Sequence, residues 1–454
     1  MAHIKISRGL DIPIKNKPTG EPSSLPTSPS LIALDLKIFE DVKFKILAKV
    51  GDVVKIGQPI VEDKSIPGRM FCSPAGGIIK EIRRGYRRVL VDVIIEVSPK
   101  EEYFEWAPMA VDTATRDQLI SRLKEGGLFA HIRSRPFDLL ANPSAMPRSI
   151  FVKAIESAPF APPADMQVKG HEEAFQTGLN VLSKLTDGPV HLIHAKHSPA
   201  VFSEAKNVCL HIAEGPHPIG NPSVHIEHID PIRSASDVLW TVNVHDVIAI
   251  GTLFASNRYF IERVISIAGP GVLPDRVGYF YARAGIPISE LISGRLTKKG
   301  PLRLISGDPL IGHKVEAQDF LGFSDTVFCV VPENTSREFL HFFKLGINKY
   351  SFSRAYVSGH LDNTDREYDF TTSLHGEHRA FVDPTLYDKV MPLPISTMTL
   401  VKAVLSEDFE LAEKLGLLTV VSEDFGLPTF VCPSKMEMVD IIKAGLKRYA
   451  HDVS

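Results

Sequence analysis

Between Lys43 and Val97, short runs rich in Val and Ile (Ile46 to Val50, Gln58 to Val61, Gly77 to Ile82, Val89 to Val97) alternate with turn residues every eight to twelve positions. That spacing predicts a small all-β module. Its turns fall at Gly51-Asp52, Gly57, Pro67-Gly68, Pro74 to Gly77 and Gly85, because glycine reaches backbone angles that other residues resist and proline fixes its own φ. The period then changes. TRDQLISRLKEGG sets Leu119, Ile120 and Leu123 at helical spacing and stops at Gly126-Gly127, so a helix is expected there. From Ser149 to about Ala268, SIFVKAI, VHLIHA, NVCLHI, VHIEHI and VISIAG read as strands with a helix from about His171 to Lys184 among them. The alternation predicts a Rossmann-like α/β layer with a mostly parallel sheet.

Gly278 to Val331 reads as β-rich again, with a helix at Ile288 to Ile292, and the remainder as mainly helical: Ser336 to Leu345, Lys402 to Leu411, and SKMEMVDIIKAGLKRYA at the end. In that last segment Met436, Val439, Ile442 and Leu446 recur at helical spacing, with Lys447 and Arg448 expected in the final turn, where cations suit the helix dipole. At the other end of the chain IKISRGLDIPI could add an edge strand. PTGEPSSLPTSPS is too rich in Pro and Ser to be regular.

Composition narrows the function classes. The 454 residues, 44% hydrophobic and 23% charged, are ordinary for a folded protein of two to four domains, and 51 basic against 54 acidic side chains leave a net charge of -3. No nucleic-acid partner is expected. Cys72, Cys209, Cys329 and Cys432 lie more than one hundred residues apart and form no CxxC, so free thiols are expected, with no zinc or iron-sulfur signature. MAHIKISRGLDIPIKNK lacks the apolar core of a signal peptide, and the most apolar region, Val238 to Ala255, is interrupted by Asn243, His245 and Asp246. A bilayer span needs about 20 mostly apolar residues. The chain is therefore expected to be soluble, and any membrane role to be peripheral.

Three clusters invite chemistry, and each has a plainer reading. The histidines from His211 to His228 suggest a metal, yet a strand through VHIEHI would put His225 and His228 on opposite faces. His375-Gly-Glu-His378 lacks the i, i+4 spacing of a zincin helix. Arg83, Arg84, Arg87 and Arg88 flank a turn at Gly85-Tyr86 and read as a solvated hairpin or a contact with a partner protein. No G-x-G-x-x-G follows any predicted strand, and Ala268 to Gly271 (AGPG) is only a turn signal.

GDVVKIGQPI followed by SPAGGIIKEI resembles the biotinyl and lipoyl carrier fold. Carriers present a lysine at the tip between those signals, whereas here the tip falls near Pro67-Gly68 and Lys64 comes too early, so a packing module without a prosthetic arm is expected. Other motifs carry a more specific likeness: IKISRGLDIPI, GDVVKIGQPIVEDK, FCSPAGGIIKEIRRGYRRVL, EGPHPIGNPSVHIEHIDPI, RAGIPISELISGRL, HGEHRAFVDPTLYDKVMPLPIS and LGLLTVVSEDFGLPTFVCPSK, in order from Ile4 to Lys435. Taken together, they make the chain resemble the family of A subunits of the Na+-translocating NADH:quinone reductase (Na+-NQR).

The resemblance implies an α/β multidomain fold, similar to the flavin-bearing subunit of respiratory complex I without its cofactors. Its parts would be an N-terminal arm over 1–42, a barrel-sandwich module over 43–100, a Rossmann-like domain over 101–275, a β-grasp (SLBB-like) domain over 276–331 and a mainly helical domain over 332–454. It implies a peripheral subunit on the cytoplasmic side of the bacterial inner membrane, inactive alone. The complex is a translocase that reduces ubiquinone to ubiquinol with NADH and exports Na+. Five other subunits, B to F, would be its partners, the membrane-embedded B component above all, and membrane contact would come only through them. NADH, FAD, FMN and iron-sulfur clusters would belong to those partners, with no cofactor in this chain and ubiquinone as the substrate of the whole.

KEGGLFAHIRSRPFD, from Lys124 to Asp138, stands where the complex I relative carries a glycine-rich loop against its flavin phosphate. Side chains here would block that approach and argue against FMN. Leu128, Phe129, His131, Arg133, Arg135 and Phe137 could instead supply apolar walls and donors for a quinone, so they are the expected quinone-binding residues. Two rival readings are a cofactor-free scaffold with no part in quinone binding and an Rnf-type flavin and iron-sulfur electron-transfer subunit.

Overall fold

The Val and Ile runs after Lys43 close into two facing sheets. In the computed structural model, which describes every residue except 26–27, 299, 337–338, 340–342, 364 and 454, one sheet orders Leu31–Asp35, Leu90–Val97, Gly77–Arg84 and Val53–Val54. The other orders Phe44–Ile46, Pro59–Asp63 and Met70–Cys72. Side chains such as Ile60, Phe71, Ile79 and Val93 meet between them, which is the area-driven part of the module's stability. Several details differ from the sequence reading, among them the short strands Val53–Val54 and Met70–Cys72, which fall outside the expected runs. The expected Ile46 to Val50 strand ends at Ile46, leaving Leu47 and Val50 exposed, and the unanticipated strand Leu31–Asp35 completes the first sheet. Its burial on both faces erases the alternation that marks a half-exposed strand.

A seven-stranded sheet forms the second unit. Its order is His3–Lys5, Cys209–Glu214, Val190–Ala195, Ser149–Ala154, Leu239–Asn243, Arg133–Arg135 and Leu139–Leu140, the first five parallel and the last two antiparallel. IKIS thus supplies an edge, as its pattern suggests. VHIEHI is not a strand: Pro222–Ile229 is a helix with Pro222 in its first turn, a position where a missing N–H costs nothing. Sequence patterning passed over Arg133–Arg135, Leu139–Leu140 and Leu239–Asn243, the last of which runs straight into the helix Val244–Ala255. That helix packs on Glu172–Ser183, and the expected helix over 116–125 is present with Thr115 and Gln118 forming a capping box.

The third unit is a six-stranded sheet ordered His313–Val315, Leu302–Ser306, Val327–Pro332, Glu262–Ala268, Gly278–Arg283 and Ser23–Ser24, with the helix Ile288–Ile292 against it. VISIAG therefore belongs here, not to the parallel sheet. Ser23–Ser24, inside the Pro/Ser-rich run, adds a short edge. Helices Thr397–Leu405, Phe409–Lys414, Gly426–Val431 and Met438–Val453 make the last unit. The expected single helix Lys402 to Leu411 is broken where Asp408 caps a new start by accepting from Leu411 N–H. The final helix begins at Met438 rather than before it and buries Met438, Ile442 and Leu446 at i, i+4 spacing. It runs on to Val453, so Lys447 and Arg448 are not in its last turn. Much of the expected helix Ser336 to Leu345 lies outside the described residues.

Candidate functional site

The segment expected to hold a quinone is set by the end of the Arg116–Glu125 helix. Gly127 turns the chain with a positive φ of 73°, and a Cβ there would stand 2.9 Å from Cys72 Sγ. Leu128 and Phe129 then enter the core at 1% and 0% exposure, Phe129 edge-on to Trp240 with ring centroids 5.5 Å apart. His131 Nδ1 meets Asp246 Oδ1 at 2.7 Å and its ring lies against Phe323. Burial alone would raise the Asp246 carboxyl, but His131, with His245 and Arg263, holds it below its ordinary value.

Beyond the 3-10 turn Leu128–His131 the remaining residues find other partners. Arg133 faces Asp138 at 3.4 Å, half-exposed, while Arg135 is buried and donates to Ser223 Oγ and to Thr419 O, each at 2.9 Å. Ser223 and Asn221 in turn donate to Asp424. Phe137 packs against Tyr449 of the final helix. Leu128 and Phe129 thus lie in one core, Phe137 packs against another and Arg133 stays half-exposed, and none of the six borders either of the cavities described next.

The first cavity, about 170 Å³, opens at the carboxyl ends of Ser149–Ala154 and Leu239–Asn243. Those two strands are neighbours, and from the first the order continues on its other side to Val190–Ala195, so the cavity sits where the winding of the sheet reverses. Open parallel sheets bind ligands at such points. Lys153 reaches Glu156 at 2.9 Å, with Asp308 and Glu423 facing it. Burial lifts Glu423 to about 7, helped by the neighbouring Asp424, and lifts Asp308 to about 6.

The second is a cleft of about 730 Å³ with Tyr350, Phe352, Tyr356, Phe370 and Phe430 among its walls. Tyr350 stands at the centre of this group, 5.5 Å from Phe370 and 6.0 Å from Phe430 between ring centroids. Burial raises its phenol to about 12, so it stays a neutral donor. Lys435 borders the same space, and burial lowers its ammonium from the ordinary lysine value. The loop Gly307–Gly312 divides the two cavities: Asp308 borders the first, Pro309 and Gly312 the second, and Leu310 both. Sequence reasoning missed this cleft because 346–384 has no period to read. Among the described residues it holds a single 3-10 turn, Val357–His360, and its signal is the density of aromatic residues from Tyr350 to Phe370.

The histidines are engaged locally. His225 Nε2 meets Ile219 O at 2.7 Å, His228 Nδ1 meets Val224 O at 2.8 Å, and His211 pairs with His191 at 3.0 Å. Among the described residues no group of three or more His, Cys, Asp or Glu is placed to hold a metal ion. No helix among them is long and apolar enough to cross a membrane.

Sequence-family models match three stretches: the NqrA N-terminal barrel-sandwich hybrid domain over 4–98, the NqrA second alpha/beta domain over 114–259 and the NQRA C-terminal domain over 264–317. Relatives match from end to end. The chain is 37% identical to the A subunit of the Na(+)-translocating NADH-quinone reductase of Chlamydia caviae, over 99% of this chain and 97% of that one. It is 36% identical to the protein of the same name from Cellvibrio japonicus, over 99% and 100%, and 37% identical to that of Saccharophagus degradans, over 98% and 99%.

Proposed function

Because this chain belongs to the family of A subunits of the Na(+)-translocating NADH-quinone reductases, we propose that it is the peripheral, cytoplasmic-side member of a sodium-pumping NADH:ubiquinone oxidoreductase and takes part in its quinone step. The parallel sheet is read as its Rossmann-like layer and the six-stranded sheet as its β-grasp domain. The five partners, B to F, with B as the membrane anchor, would supply NADH oxidation, the flavin and iron-sulfur carriers and the Na+ path. The observation that carries the quinone reading is the aromatic cleft. A quinone ring and its isoprenoid tail need apolar walls and one or two donors, and Tyr350, Phe370 and Phe430 offer the first while Lys435 and the Tyr350 hydroxyl offer the second. The segment from Leu128 to Phe137 then acts as support, since it ties the parallel sheet to the last helices.

The test is steady-state kinetics of the assembled complex. Tyr350→Ala with Phe430→Ala should raise the apparent KM for ubiquinone about tenfold, the loss of roughly 1.4 kcal/mol of apolar contact, while NADH oxidation by an artificial acceptor stays normal. Lys435→Met, which keeps the packing, should raise it in the same sense by a smaller factor. Unchanged quinone kinetics in both variants would reduce the chain's role to that of a scaffold.

A further inference from the structure

Two aspartates lie side by side in the barrel-sandwich sheet with almost nothing donating to them. Leu31–Asp35 and Leu90–Val97 run antiparallel with Asp35 directly opposite Asp92, and both side chains are 1% exposed. Residues so paired hold their Cβ atoms about 5 Å apart on one face. Asp35 Oδ1 accepts from Lys37 N–H at 3.1 Å, but Asp35 Oδ2 and both oxygens of Asp92 are buried without a hydrogen-bond partner. Two cations stand near without closing on them: Lys37 Nζ is 3.4 Å from Asp35 and 3.9 Å from Asp92, and Arg83 Nη1 is 4.0 Å from Asp92. Two further carboxylates face these cations: Asp319, 3.8 Å from the same Lys37 Nζ, and the more exposed Glu81, 3.3 Å from Arg83 Nε.

That cluster sits on a seam. Arg83 Nη1 donates to Gln318 O at 3.1 Å, and its guanidinium covers the Phe320 ring at 5.7 Å. Phe320 in turn packs between Ala33 and Ile94, and Ala33 N–H donates to Gly285 O at 3.0 Å. Strand ends of the first unit thus meet the 316–320 loop of the third through the same two cations that face the aspartates.

We propose that Asp35 and Asp92 hold one proton between them in mildly acid solution, and that its release to solvent as pH passes neutrality loosens the seam between the barrel-sandwich module and the six-stranded sheet. With the proton in place, one carboxyl donates to the other and a single negative charge remains for Lys37 and Arg83 to share. Without it, two buried charges face each other and draw both cations inward, away from Asp319 and Gln318. Burial, with the charge of Asp92 against the counter-pull of Lys37, lifts Asp35 to about 7, and burial also raises Asp92. A carboxyl raised in the folded state stabilises that state most fully below its unfolded value, near 3.8, and loses the contribution as pH climbs through about 7.

The experiment is hydrogen exchange on the full chain, read at the amides of Gln318 to Leu321 and corrected for intrinsic rates. Protection should fall about tenfold between pH 6 and pH 8 in the native sequence. Asp35→Asn keeps a neutral partner at every pH and should hold protection flat, whereas Asp319→Asn should keep the fall. The infrared carbonyl band of protonated carboxyls at pH 6 should lose one component in Asp35→Asn and the same one in Asp92→Asn. Flat protection in the native sequence, a fall that survives in Asp35→Asn, or a carbonyl band unchanged in both variants would each overturn the shared proton.

Discussion

Gly251→Ala is expected to cost about 3 kcal/mol, the upper end of what overpacking a core costs and a large share of the roughly 5–15 kcal/mol that holds a typical domain together. The helices Glu172–Ser183 and Val244–Ala255 cross at glycines: a Cβ on Gly251 would lie 1.6 Å from Ala174 O, and one on Gly178 would lie 2.1 Å from Val247 O. Both obstacles are backbone, which cannot swing aside as a side chain can. To admit the methyl group the helices must part along the face where Phe175, Leu179, Val247 and Ile250 are buried, losing contacts over its length. Alanine is by itself the better helix former, by about 1 kcal/mol. The sign of the measured change therefore decides between the two effects. Chemical denaturation should show a clear loss of stability, and a gain would mean that the helices sit looser than 1.6 Å implies. The consequence reaches the site, because the same helix begins beside Asn243 at the switch-point cavity and carries Asp246 to His131.

Where a segment is half-buried and long, its period survives into the sequence. Leu119, Ile120 and Leu123 mark a helix that forms where expected, and Cys209–Glu214, buried only at alternate positions, forms the strand expected there. Short segments buried on both sides lose that signal. VHIEHI could be strand or helix by apolar content, and Pro222 is the local feature that favours a helix start. Leu239–Asn243 and Val244–Ala255 share one apolar run, and only the polar Asn243 marks where strand becomes helix. The site was less legible than the fold. An aromatic and basic loop after a helix suggests a ring-binding pocket, but composition cannot say which way side chains point. Phe129 points into the core, and the rings that do line a cleft come from a stretch without periodicity and from Phe430, about sixty residues further along.

Phe129→Ala separates these two placements. With the ring fully buried and edge-on to Trp240, its removal should cost about 3–5 kcal/mol, since the walls of a packed core relax only partly into the space left behind. The expected result is a lowered melting temperature and a smaller yield of assembled complex. Per assembled complex, the apparent KM for ubiquinone should stay at the native value, because a side chain with no exposed surface offers a substrate nothing to bind. Adding His131→Ala extends the loss, as it removes the partner that meets Asp246 at 2.7 Å and leaves that buried carboxylate without its hydrogen bond. The decisive comparison is with Tyr350→Ala and Phe430→Ala, which should shift quinone affinity at a smaller cost in stability, because both rings border a cleft rather than fill the sealed core. If instead the Phe129 variant assembled normally and raised the ubiquinone KM tenfold, the Leu128 to Phe137 segment would have to open toward solvent during turnover. The aromatic cleft would then lose its claim to the quinone.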